Sequence, residues 1–181
     1  MKHSELNPKF SFERFVVSSE NLTAHIAAME VSESPGMVHN PLVICSGVGL
    51  GKTHLLHAIG KSVLINFLDL SVLYTTSDNF MNQLITAYRY GKIAEFREMY
   101  GKIDVLLFDD FRFIAKKEKT QEELLHLFDV LLTRNKQIVV ACVKSPIYIQ
   151  GVDSRLKSLF LKGHTVHMNM SIETKMAVRS I

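Results

Sequence analysis

Tryptophan is absent from this 181-residue chain, and cysteine (2), proline (4) and glycine (9) are scarce. The two cysteines, Cys45 and Cys142, each sit inside an apolar run. They exclude a disulfide-built secreted scaffold, and buried reduced thiols are the expectation. No stretch approaches the roughly 18 consecutive apolar residues of a membrane-spanning helix. The opening residues MKHSELNPKF carry no apolar core of a secretory leader. Charge of one sign is also missing: 21 Lys and Arg against 18 Asp and Glu leave a net +3, which permits an anionic partner without demanding one. The expectation is a soluble, cytoplasmic protein with no membrane partner. The 8 histidines do not combine with Asp, Glu or Cys at metal-ligand spacing, and His54 and His57 read as packing or surface residues. No Ser-His-Asp or Cys-His arrangement can be drawn either.

What is present is enough apolar sequence for a core, at 47% hydrophobic and 22% charged. Apolar runs of strand length at 41–45, 71–75, 103–108, 137–143 and 164–170 alternate with helical patterns at 20–33, 53–68, 78–88, 120–134 and 154–160. A charged helix or turn falls at 92–99, and a further helix begins at Ser171. Leu22, Ile26 and Met29, with Ala27 or Ala28, mark the apolar face of the first helix, and Phe80, Leu84 and Ile85 that of the third. Thr120 with Glu123 three positions on outlines a capping box. Phe10, Phe12 and Phe15 are spaced to anchor the N-terminal segment. Strands without polar alternation, separated by helices, predict a parallel sheet covered on both faces in one α/β domain over 1–181.

Three of the few glycines fall within CSGVGLGKTH (45–54), between a strand and a helix. Gly47, Gly49 and Gly51 allow the backbone amides to turn inward around a phosphate chain. Lys52 adds a point charge, Thr53 a hydroxyl for Mg²⁺, and the helix N-terminus its dipole. The strict phosphate-loop pattern wants glycine at 46, where this chain has Ser46. Serine fits if φ there is negative and strains the loop if it is not. A second constellation closes the strand IDVLLFDD: Asp109 and Asp110 are placed to hold Mg²⁺ and to orient an attacking water, or else mark a strand end reaching solvent.

These residues resemble the AAA+ ATPase domain of the bacterial chromosomal replication initiator DnaA. The likeness is carried by NPKFSFERFVV (7–17), NPL (40–42), GVGLGKTHLLHAIG (47–60), TSDNFMNQLITAYR (76–89), EFREMYGKIDVLLFDDFRFIAKKEKTQEELLHLFDVLL (95–132), KQIVV (136–140) and GVDSRLKSLF (151–160). It implies a P-loop NTPase of the RecA-like three-layer type, with a five-stranded parallel sheet and without the family's helical lid. It also implies ATP or ADP with Mg²⁺ as cofactors. On that resemblance Val16 and Val17 lie near the adenine, and Ser46, Gly47, Val48, Gly49, Leu50, Gly51, Lys52, Thr53 and His54 form the phosphate site. Thr53 and Asp109 take the metal, and Asp110 is the second acid associated with hydrolysis. The stretch 78–102 matches a helical insertion lining a path for single-stranded DNA, with Lys117 and Lys119 on it; taken alone, KKEK is a solvated turn before a helix.

The departures concern turnover. Besides Ser46, Ser18 replaces a glycine and Arg112 a glutamine, Val143 stands at a polar phosphate-sensing position, and Leu159 stands where the family has its arginine finger, although Arg155 is kept. The family continues past Met176 into a lid and a duplex-reading helix-turn-helix domain, so duplex recognition is not expected. Two readings follow. One is an ATP- or ADP-binding initiator-like module with weak or no hydrolysis and contact with single-stranded DNA. The other is a degenerate paralogue acting as a protein-interaction or regulatory module for a full-length initiator or another AAA+ protein.

Overall fold

The computed structural model describes residues 6–169, so the helix expected from Ser171 lies outside the described residues. The five expected strands form at β1 (Leu42–Ser46), β2 (Val72–Thr76), β3 (Val105–Asp109), β4 (Gln137–Cys142) and β5 (His164–Met168). They build one parallel sheet in the order β2-β3-β4-β1-β5. The helices are α1 (Leu22–Glu33), α2 (Lys52–Asn66), α3 (Ser77–Arg89), α4 (Ile93–Gly101), α5 (Glu118–Thr133) and α6 (Ser154–Lys162).

Successive strand side chains point to opposite faces, so continuous apolar strands supply two cores at once. Leu42 and Ile44 of β1, Val105 and Leu107 of β3, and Val139 and Ala141 of β4 pack under α1 and α2. The intervening Val43 and Cys45, Leu106 and Phe108, and Ile138, Val140 and Cys142 pack under α3 to α6. The result is the expected three-layer sandwich. Cys45 and Cys142 pair in register across β1 and β4 as buried free thiols, with their sulfurs 3.2 Å apart.

Three local expectations are corrected. Of the face expected on α1, Ala27 and Ala28 are buried but Leu22, Ile26 and Met29 are exposed, and Ala24 and Val31 complete the buried side. Small side chains let α1 lie close against its neighbours, so the larger apolar residues turn outward. On α3, Phe80 and Leu84 are buried but Ile85 is 55% exposed. Thr120 is not a cap: α5 starts at Glu118 with Lys117 as N-cap, and the first helical bond runs from Gln121 N–H to the Lys117 carbonyl at 2.9 Å. Buried Gln121 fixes that start, donating to the Gly151 carbonyl (2.8 Å) and accepting from the Asp153 amide (2.6 Å).

Candidate functional site

The site forms at the carboxyl ends of β1 and β3, the edge where open parallel sheets place their ligands. Of the three loop glycines, Gly49 (φ +77°) and Gly51 (φ +87°) need the left-handed region, and Gly47 does not. Ser46 ends β1 without positive φ, so serine fits there without strain. Its hydroxyl lies 3.3 Å from the Lys52 ammonium. Lys52 opens α2 and is itself buried, donating to the Ser46 and Gly47 carbonyls at 2.8 Å each. Burial lowers its pKa, against the opposing pull of Asp109 and Asp110. Gly47, Val48 and Gly49 are exposed, Leu50 is half-buried, and Thr53 is exposed at the first turn of α2.

Asp109 ends β3 and is 3% exposed, so the strand end does not simply reach solvent. A carboxylate this buried needs donors, and it has three. Thr53 Oγ1 donates to Oδ2 at 2.7 Å, Tyr74 Oη to the same oxygen at 3.0 Å, and the Asp110 amide to Oδ1 at 2.8 Å. All three donors are neutral, and the carboxylate lies beside a hydroxyl and an open loop, within the electrostatic reach of the buried Lys52 ammonium. Asp110 sits in the left-handed region at φ +55°, its carbonyl accepting from Ser77 Oγ at 2.8 Å. Burial, and then the neighbouring Asp109 charge, raises its pKa. Hard oxygen donors in this number suit Mg²⁺, which takes one or two protein oxygens and fills its octahedron with phosphates and water. Among the described residues no group of three His, Cys, Asp or Glu side chains forms an all-protein metal cage.

The N-terminal segment joins this site through aromatic contacts. Phe10 stacks on His54 at 4.8 Å and Phe15 meets His54 edge-on at 5.3 Å. His54 Nε2 lies 2.7 Å from the Ser11 carbonyl, which requires the ring to donate. A Cβ at Gly51 would come within 2.8 Å of the Phe15 ring, so glycine is required there twice over. Val16 and Val17 follow, 47% and 44% exposed, and form an apolar surface. Lys117 and Lys119 are exposed at the start of α5, in the layer opposite α2 and apart from this cluster.

Two contributors were not legible in the sequence. Asn21 clamps the bend after Val16, donating to the Val16 carbonyl (2.9 Å) and accepting from the Ser18 amide (2.8 Å). Tyr74 lies in a stretch that reads only as an apolar strand, and it reaches Asp109 because β2 pairs with β3. Burial first, and then the Asp109 charge, pushes its phenol well above the ordinary value, so it donates as a neutral group.

Residues 6–167 match the family model described as the bacterial DnaA ATPase domain. The chain is 46% identical over 175 residues to the chromosomal replication initiator protein DnaA of Thermus thermophilus, a match covering 96% of this chain and 40% of that relative. The crystal structure of domain III of the Thermotoga maritima replication initiation protein DnaA superposes with a TM-score of 0.93 at 42% identity, covering 98% of this chain and 74% of that one. A replication initiator DnaA bound to AMPPCP and single-stranded DNA gives a TM-score of 0.90 at 35% identity, over 98% of this chain and 57% of that one. No helix among the described residues is long and apolar enough to cross a membrane.

Proposed function

The chain belongs to the bacterial DnaA ATPase domain family, and from that premise we propose that it binds ATP or ADP with Mg²⁺ at the 46–54 loop. The observation that carries this is the 2.7 Å bond from Thr53 to Asp109, which brings the end of β3 against the first turn after the loop. Loop amides and Lys52 hold the phosphates, Thr53 and Asp109 would hold the ion, and Val16 and Val17 face the base. The bound ion would neutralise phosphate charge. A structural neighbour bound to an ATP analogue supports the reading.

Binding and turnover are separate matters. The side chain of Val143, the residue after β4, can neither donate nor accept a hydrogen bond, and Leu159 is 7% exposed within the α3–α6 core. Neither stabilises charge on a transferring phosphoryl group, so hydrolysis is slow or absent. The exposed Lys117 and Lys119 give weak, sequence-independent contact with single-stranded DNA, in keeping with the neighbour solved with such a strand.

Titration of fluorescent ATP and ADP analogues into the protein with Mg²⁺ tests the site. Lys52→Ala removes charge-assisted phosphate bonds and should weaken binding by about 100-fold or more. Unchanged affinity in that variant would refute the assignment. Steady-state turnover equal to that of a complete initiator would refute the second half.

A further inference from the structure

Resting on the reading that Asp109 holds Mg²⁺ beside a bound nucleotide, we propose that Tyr74 is the positioning residue of that centre. Its phenol, on the strand beside Asp109, fixes the carboxylate in the orientation that receives the ion.

The carboxylate of Asp109 has room for about four hydrogen-bond donors. Thr53 and Tyr74 share Oδ2, and the Asp110 amide takes Oδ1. Thr53 is assigned to the metal itself, and the Asp110 amide belongs to the adjoining backbone. Tyr74 is thus the side chain that holds Asp109 without being assigned to the ion. Partners of this kind set the rotation and basicity of a metal-binding carboxylate.

The phenol is in turn held from its ring. Tyr74 packs on the His57 ring of α2 with centroids 4.2 Å apart. His57 is buried, and its Nδ1 accepts from the Asn7 amide at 3.2 Å. That bond makes Nδ1 the unprotonated nitrogen of a neutral ring, in line with the lowering of its pKa by burial. A continuous set of contacts therefore runs from the N-terminal segment through α2 and β2 to the acid at the end of β3. A tyrosine that only filled the core would need no aligned hydroxyl at 3.0 Å from a carboxylate.

The test uses the full 181-residue chain and a fluorescent ATP analogue, titrated in Mg²⁺ and again in EDTA. The readout is the ratio of the two affinities. Tyr74→Phe keeps the ring on His57 and removes only the hydroxyl; it should lower the ratio about tenfold and leave the EDTA affinity unchanged. On an Asp109→Asn background the same change should leave the ratio where Asp109→Asn alone puts it, because the two residues act as a unit. An unchanged ratio, an equal loss in both buffers, or a full effect on the Asp109→Asn background overturns the proposal. Wild-type protein that binds no nucleotide in either buffer overturns the site reading instead, and needs no variant to reveal it.

Discussion

Asp109 and Glu123 are both buried carboxylates, and both accept three hydrogen bonds from side chains or backbone. Their donors differ in charge. Asp109 is held by a threonine, a tyrosine and an amide. Glu123, 7% exposed on α5, accepts from Tyr88 Oη at 2.6 Å and from Arg97 Nε and Nη2 at 2.9 and 2.6 Å. The guanidinium neutralises Glu123 on the spot and binds α4 to α5, and the Tyr88 hydroxyl adds α3. Asp109 is bonded only by neutral donors; the Lys52 ammonium of the adjoining loop acts on its charge without a hydrogen bond to it. A buried acid bonded directly to a cation is a brace; one held only by neutral donors at a strand end keeps its charge available, as the proposed metal site requires.

If that distinction holds, neutralising the two acids has opposite consequences. The largest effect is expected from Asp109→Asn, which should cut affinity for the Mg²⁺–ATP complex by about 100-fold. The melting temperature without ligand should barely change, since the amide oxygen can accept from the Asp110 N–H while the Thr53 and Tyr74 hydroxyls rotate to accept from the amide nitrogen. A large drop in melting temperature would make Asp109 a second brace and erase the contrast.

Glu123→Gln should do the reverse, costing about 1–2 kcal/mol of stability with nucleotide affinity intact. Its pH dependence sharpens the point. The Arg97 hydrogen bonds hold the Glu123 pKa below its ordinary value, against the opposing effect of burial. The contribution is therefore fully present above the unfolded carboxyl pKa and lost as pH falls through the lower, folded one. Melting scans from neutral pH into acid should show the gap between wild type and Glu123→Gln closing. A gap that stays constant would mean that the ion pair is not its source.

The smallest effect concerns exposed charge that is neither a brace nor a site. Replacing Lys117 and Lys119 by alanine should weaken binding of a single-stranded oligonucleotide a few-fold, and lower the slope of log affinity against log salt by roughly 0.7 for each lysine. An unchanged slope would remove both from the DNA path. Stability should stay within about 0.5 kcal/mol of wild type.

The legible parts of this molecule are those where neighbours in sequence are neighbours in space. Strand, loop, Lys52 and Thr53 follow one another, and the strand-helix alternation carried the sheet and its layers. Asp109 was legible as a charge ending an apolar run, but its partnership with Tyr74 depends on the register Thr76 to Asp109, which no local pattern contains. The face of α1 was legible only at Ala27 and Ala28, because large apolar residues mark periodicity more loudly than alanine, while close packing selects the alanines. Thr120 looked like a cap because capping boxes are local, whereas the start of α5 is fixed by Gln121 reaching a distant loop.

The contact between Phe15 and Gly51 has one further consequence. The ring occupies the volume in which a side chain at the last loop residue would have to stand, so the N-terminal segment acts as a mould for the glycine-rich turn. Changes to either are inherited by the other. A chain with the loop intact but Phe15 replaced keeps every residue of the motif and loses part of the surface that shapes it.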